Sequence, residues 1–211
     1  MKRIVGESAC PYQPRNMLND RSSALSLLET RRSAKPRELV GAGPTADEMA
    51  RILTIAARIP DHGKLHPWRF VTVADDQRKA LAHLLRDALS EENPDATEAH
   101  YAKEDEFAHY EGQLVVLISA PVENHKIPVW EQELSSGAAG MNLLMAAHAL
   151  GYVAGWVTGW RAYSERVRRA FCGPGERIAG FVFIGRPGRE IDERPRPLLS
   201  EVASNWQPPS A

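Results

Sequence analysis

Ile59-Pro60-Asp61-His62-Gly63-Lys64-Leu65-His66-Pro67-Trp68-Arg69-Phe70 joins two patterns of different period. Before it, Met49, Ile52, Leu53, Ala56 and Ala57 recur three or four residues apart, the spacing of a helix buried on one side. After it, Trp68 to Val73 reads as a strand. Pro60 and Gly63 break the helical pattern and Pro67 closes the loop. Between the breakers stand an acid, two imidazoles and a lysine. A polar loop held between a helix and a strand is where binding residues concentrate. The stretch therefore marks a site, without saying which.

Upstream, Thr45-Ala46-Asp47-Glu48 starts that helix, with acids in its first turn, and Arg58 falls in its last turn. An earlier helix carries Leu25, Leu27 and Leu28, is capped by Ser22 or Ser23, and is ended by Pro36. At its end stand Arg31-Arg32-Ser33-Ala34-Lys35. Guanidinium forks and a short hydroxyl suit a phosphate; the same residues also suit a solvated helix end facing the negative pole of the dipole. Residues 1–21 show no periodicity and read as a flexible extension.

Downstream, 77–90 reads as an amphipathic helix through Leu81, Leu84, Leu85 and Leu89, and 91–111 as helix in part. Leu114 to Ala120 is a continuous apolar run, the pattern of a central strand. A helix over 128–150 begins at Pro128-Val129-Trp130-Glu131-Gln132-Glu133 and carries the small residues Ser135 to Gly140. It is apolar nearly all round, which predicts burial. Val153 to Trp160 is a short strand containing Gly155 and Gly159, a sign of a bulge, an edge, or close approach by another backbone or a flat ligand. Ser164 caps a helix to Phe171, Ile178 to Arg186 is a further strand, and Arg194-Pro195-Arg196-Pro197 makes an extended tail.

The 211 residues allow one sizeable domain, placed at 22–211, with a C-terminal arm from about 189. A net charge of -1 gives no concentrated basic face for nucleic acid or an anionic membrane. Cys10 and Cys172 are too few for a disulfide framework, and neither they nor His125 and His148 have metal-ligand spacing. No apolar segment has signal-peptide or bilayer-spanning length. The expectation is a cytoplasmic protein without a metal.

Arg31-Arg32-Ser33, the segment Ala57 to Phe70, and Asn124-His125-Lys126-Ile127-Pro128-Val129-Trp130-Glu131-Gln132-Glu133 resemble, in order and spacing over about 22–200, the nitroreductase family of FMN-dependent oxidoreductases. The branch most similar is that of the small bacterial NAD(P)H nitroreductases. The resemblance implies an α+β fold: a mixed, mainly antiparallel central sheet flanked by helices, in an intertwined homodimer with FMN at the subunit interface. It implies that Arg31, Arg32 and Ser33 hold the FMN phosphate and ribityl region, joined by Arg194 and Arg196 from the C-terminal segment. Lys35 stands where relatives place a cation near the flavin N1 and C2 carbonyl, and the backbone of Trp156, Val157 and Thr158 lines the ring. A flat cofactor there would account for Gly155.

Arg58, His62 and Lys64 occupy further FMN-contacting positions. Better-known relatives have Ser, Asn and Gln where this chain has His62, Lys64 and His66, so its ring contacts and acceptor preference differ from theirs. Ala146 to Gly151 match a segment sometimes assigned to the nicotinamide cofactor. Residues 91–111 fall where relatives build an active-site cover. The implied reaction carries hydride from NADH or NADPH through FMN to a nitroaromatic, quinone or similar small acceptor, with no catalytic side chain required. The alternative is an FMN-binding carrier or redox sensor without turnover.

Overall fold

A computed structural model describes residues 17–209 of the chain. Its centre is β5 (Arg177–Pro187), the longest strand. One edge of β5 pairs with β3 (Gln113–Ser119), which pairs in turn with β2 (Trp68–Val73). The other edge takes β4 (Val153–Val157) and, further along, β1 (Leu39–Val40). Every pairing is antiparallel. The apolar run expected as a central strand is β3, and Leu114 to Ile118 are wholly buried because both faces of the sheet are covered.

Alternation along the strands sends side chains to two cores. Leu114, Val116, Ile118, Phe181 and Phe183 meet α3 (Arg78–Glu92) and α4 (Glu98–Ala108) through Leu81, Leu85, Ala88 and Phe107. Val115, Val182 and Ile184 meet α2 (Ala46–Ala56) and α5 (Val129–Ala149) through Ile52, Ala56, Leu143 and Ala147. The result is the expected α+β architecture, a sheet between two helical layers. No helix among the described residues is long and apolar enough to cross a membrane.

The start of α2 is as the sequence predicts: Thr45 caps the Glu48 amide, and the Glu48 carboxylate bonds back to the Thr45 N–H at 2.9 Å. The end of α1 (Ala24–Thr30) is not. Ser23 caps it, but it stops at Thr30 rather than running toward Pro36. Thr30 Oγ1 turns back to the Ser26 carbonyl (2.6 Å), and Arg31 takes extended dihedrals. Asn19 then claims the next peptide: its Oδ1 accepts from Arg32 N–H (2.8 Å) and its Nδ2 donates to Arg32 C=O (3.1 Å). An amide that mimics a neighbouring strand outcompetes continued helix here.

Residues 91–111, expected to be helix in part, hold α4 against the face of the sheet opposite α5, where Phe107 packs edge-on to Phe181 and Phe183, with ring centroids 5.4 and 5.2 Å away. Glu104, buried, receives Trp160 Nε1 (3.2 Å) and an Arg161 ion pair. Helix α5, expected to be buried all round, is buried along Gln132, Ser136, Ala139, Gly140, Leu143 and Ala147, but leaves Trp130, Leu134 and Met141 67%, 54% and 42% exposed. Trp130, Leu134, Gly137, Met141 and Met145 are spaced as one stripe.

Trp156 locks α5 to the sheet. The register between β3 and β5 jumps from Leu117↔Gly180 to Ile118↔Ile178, which leaves Ala179 as a bulge. The Trp156 indole N–H donates to the Ala179 carbonyl (3.1 Å) and its ring lies where a Cβ on Gly140 or Gly180 would stand. Gly155, beside it, is explained by protein rather than by a flat ligand: a Cβ there would lie 2.5 Å from the Ala34 carbonyl oxygen. The segment Ala34–Pro36 crosses β4 at that point. Gly155→Ala is therefore expected to destabilise the protein by about 1–3 kcal/mol, the cost of overpacking against backbone. An unchanged urea midpoint would contradict this close approach.

Candidate functional site

The extended stretch after α1 meets the C-terminal tail. Arg32 is the strut: its guanidinium donates to the Ser33 carbonyl (3.0 Å) and to the Asp192 carbonyl (2.9 Å), and lies 3.9 Å from Glu193. Arg196 donates back to the Arg31 carbonyl (3.3 Å) and pairs with Glu193 (3.1 Å). Arg31, half-buried, donates to Ser33 Oγ (3.0 Å). Residues far apart in sequence thus converge: Arg31, Arg32, Ser33, Arg194 and Arg196 form one cradle.

The electrostatics of that cradle are one-sided. Burial, then Arg196, Arg194 and Arg32, hold the Arg31 guanidinium's pKa below its ordinary value, and Glu193 works against them. Four guanidinium groups against that one carboxylate repel each other unless an anion sits among them. A phosphate monoester dianion brings the missing charge, and the forked donors and the Ser33 hydroxyl match its oxygens. The residues present fit the phosphate end of FMN.

The loop 58–66 is held by α5. Ser135 Oγ donates to the Pro60 carbonyl (3.0 Å), Asn142 Nδ2 to the carbonyls of Ile55 (2.5 Å) and Arg58 (3.3 Å), and Glu131 Oε2 lies 2.6 Å from His62 Nδ1. Gln132, buried, bonds to the Val122 N–H and to the carbonyls of Val122 and Ile127 (2.7, 3.2 and 3.0 Å). The Trp-Glu-Gln-Glu helix start thus pins two loops. Inside the site loop, Asp61 accepts from the amides of Leu65 (3.1 Å) and His66 (2.9 Å). The chain passes through positive φ at Gly63, and also at Lys64 (55°) and His66 (52°), where side chains adopt it at a cost. Arg58, His62 and Lys64 all stand exposed.

Within one protomer the tip of the loop is held away from the cradle. The cradle touches α5 at His148, whose Nε2 is 3.2 Å from the Arg32 carbonyl, whereas the loop touches it at Asn142 through the Arg58 carbonyl and at Glu131 through His62. At about 1.5 Å per residue, the Arg58 contact lies roughly 9 Å and the His62 contact roughly 25 Å from His148 along the helix. Lys35 lies beside β4 but pairs with Glu38 (3.4 Å) rather than joining the arginines. The Trp156 side chain is taken up in the sheet lock, which leaves the backbone of Trp156 to Thr158 as what a ligand could meet; among the described residues β4 pairs with β5 alone. Residues 1–16 of the expected extension lie outside the described residues, while Asn19 is part of the cradle's frame. Sequence reading also missed Asp192, Glu193 and His148 as parts of that frame. An acid directly before an Arg-Pro-Arg run was the one available signal.

Comparison with known proteins agrees with the fold and the order of elements. The Nitroreductase family model matches residues 28–186. A protein of Escherichia coli K12, provisionally named as the NAD(P)H nitroreductase YdjA, is 35% identical over 166 residues, covering 78% of this chain and 88% of the relative. A Haemophilus influenzae protein, likewise provisionally named as an NAD(P)H nitroreductase, is 37% identical over 174 residues, covering 81% and 91%. Among solved structures, a nitroreductase-like family protein from Bacillus cereus superposes with a TM-score of 0.74 at 20% identity, over 87% of this chain and 95% of its own. A mutant of NfnB, described as an FMN- and NADPH-dependent nitroreductase from Sphingopyxis sp. strain HMH, gives 0.67 at 20% identity, over 88% and 99%. On the matched span and the identity to these bacterial relatives, the chain belongs to the nitroreductase family.

Proposed function

We propose that the protein is an FMN-dependent NAD(P)H oxidoreductase that works as a homodimer. The observation that carries this reading is the cradle, which gathers Arg31, Ser33, Arg194 and Arg196 where guanidinium groups outnumber the one carboxylate, Glu193. Arg31, Ser33, Arg194 and Arg196 would bind the FMN phosphate, with Arg32 tying their two segments together. The backbone of Trp156, Val157 and Thr158 would carry the ring, with Lys35 nearby. Bound FMN would supply the redox chemistry, taking hydride from NADH or NADPH and passing electrons to a nitroaromatic, quinone or similar acceptor in a second half-reaction.

The second copy answers two features of the single chain. The exposed stripe Trp130, Leu134, Met141 is apolar surface that a copy of α5 would cover. Two α5 helices packed antiparallel about a two-fold axis set the start of one beside the end of the other. That arrangement would bring Arg58, His62 and Lys64 of the partner subunit to the cradle of the first. His62 would be oriented there by Glu131, and the tail beyond Arg196 would wrap the partner.

The test is a visible spectrum of the purified protein, identification of any released chromophore, and addition of NADPH or NADH without oxygen. Yellow protein that releases FMN and bleaches with a nicotinamide is the expected result. Yellow protein that does not bleach would point to the carrier or sensor, and colourless protein that takes up no added FMN would overturn the reading.

A further inference from the structure

His148 lies beneath the cradle with no solvent exposure. Both ring nitrogens face carbonyl oxygens: Nδ1 is 2.7 Å from that of Leu144 and Nε2 is 3.2 Å from that of Arg32. A carbonyl oxygen only accepts. A neutral imidazole has one N–H, so it can serve one of these oxygens and must turn a lone pair toward the other. An imidazolium serves both. The Arg32 carbonyl is no distant bystander, since its residue is the strut between the Arg31–Ser33 segment and the tail.

What decides the proton is the surrounding charge. Burial lowers the pKa of His148, the two carbonyl contacts oppose that, and Arg31 lowers it further. The other charged or titratable groups around the cavity that the ring borders are Arg21, Tyr152, Arg189 and Glu190. Arg189 is held by Asp192 (2.5 Å) and Glu38 (3.7 Å), so it is Arg31 that biases the ring toward its neutral form when no anion is in the cradle. A phosphate dianion among the arginines offsets that field and so lowers the cost of charging the ring.

We propose that His148 is a positioning residue for the phosphate site: it takes up a proton when a phosphate monoester enters the cradle, and as an imidazolium it donates to the Leu144 and Arg32 carbonyls at once, fixing the strut. The proposal rests on the reading of the cradle as the FMN-phosphate site. FMN binding then becomes tighter as pH falls, by up to tenfold per pH unit between the free-state and bound-state ionisations of the ring. The phosphate of FMN has the opposite effect. Its second ionisation lies near 6, and cations favour its dianion, so it releases protons on binding at low pH. At about pH 7.2, where that ionisation is largely complete, net uptake therefore reports the protein.

The experiment is calorimetric titration of the full-length, flavin-free protein at that pH, in phosphate-free buffers of different ionisation enthalpy, which counts the protons exchanged. The probes are FMN and riboflavin, the same ring without the phosphate. Proton uptake is expected with FMN, not with riboflavin, and not in His148→Gln, whose amide keeps one donor but does not titrate. Should that variant fail to fold, the ring resonances of His148 in the wild type, followed by NMR against pH with and without FMN, give the same answer. FMN bound without uptake, or equal uptake with riboflavin or in the variant, overturns the proposal alone. Failure to bind FMN at all overturns the flavin reading, and this inference with it.

Discussion

Arg31→Ala is expected to weaken FMN binding by about 10- to 100-fold, the worth of a charge-assisted contact to phosphate, while riboflavin binding stays nearly unchanged. Arg31 is half-buried, and its proton affinity is already lowered by burial and by Arg196, Arg194 and Arg32. A cation whose pKa is lower in the folded state than in the unfolded state opposes folding wherever it is charged, which at neutral pH is always. The flavin-free variant should accordingly melt no lower than the wild type. That pairing of effects separates a ligand-binding role from a structural one, because an arginine that merely held the fold would cost melting temperature when removed. Quenching of FMN and riboflavin fluorescence, with melting curves of the flavin-free proteins, measures both. Equal loss of both flavins, or a marked fall in melting temperature, would remove Arg31 from the phosphate site.

Leu134→Glu combined with Met141→Glu should give a folded monomer that has lost NAD(P)H oxidation by roughly 100-fold or more, since a pairing that buries four carboxylates is strongly disfavoured. Both side chains are exposed in the protomer, so the substitutions leave its two cores intact. Gly137, between them in the stripe, has nothing within 4 Å of where a Cβ would stand, so the protomer alone gives no packing reason for a glycine there. The loss of activity follows from geometry: one chain separates the cradle's contact on α5, at His148, from that of His62, at Glu131, by most of the length of the helix. Sedimentation gives the oligomeric state, and anaerobic bleaching by NADPH gives the activity. A variant that stays dimeric would move the interface elsewhere, and an active monomer would mean that one chain completes its own site.

The contrast between α2 and α1 shows what a sequence can carry. In α2 the Thr45–Glu48 cap and the apolar period lie within a dozen residues, so local chemistry decides the outcome. The end of α1 is decided by Asn19, which reaches Arg32 across thirteen positions, and no periodicity reports that. Gly155 marked a close approach correctly in kind, but a glycine does not say what approaches; it was the Ala34 carbonyl. For α5 the pattern revealed apolar surface, and burial by one chain or by two leaves the same pattern. In the cradle, the donor chemistry of Arg31, Arg32 and Ser33 was legible from their types. Their meeting with Arg194 and Arg196 rested on resemblance until the fold placed them. Glu193 and His148 gained their importance from neighbours more than a hundred residues away.

The wedge of Trp156 between Gly140 and Gly180 constrains the routes by which this chain could diverge. With the indole in place, neither glycine can gain a side chain, since a Cβ on Gly140 would lie 2.5 Å from its ring and one on Gly180 closer still. With the indole shortened first, its ring no longer blocks either position, although Leu117 still lies 2.7 Å from a Cβ on Gly140 and the Val157 carbonyl 3.1 Å from one on Gly180, and the Ala179 carbonyl loses its donor. The three sites therefore form an epistatic set with a preferred order of change, in which the tryptophan must go before either glycine. Coupling among touching residues is commonly about 0.5–3 kcal/mol. Lineages that keep Trp156 should hold both glycines, while those that have lost it are relieved of the tightest clash at two positions on elements distant in sequence.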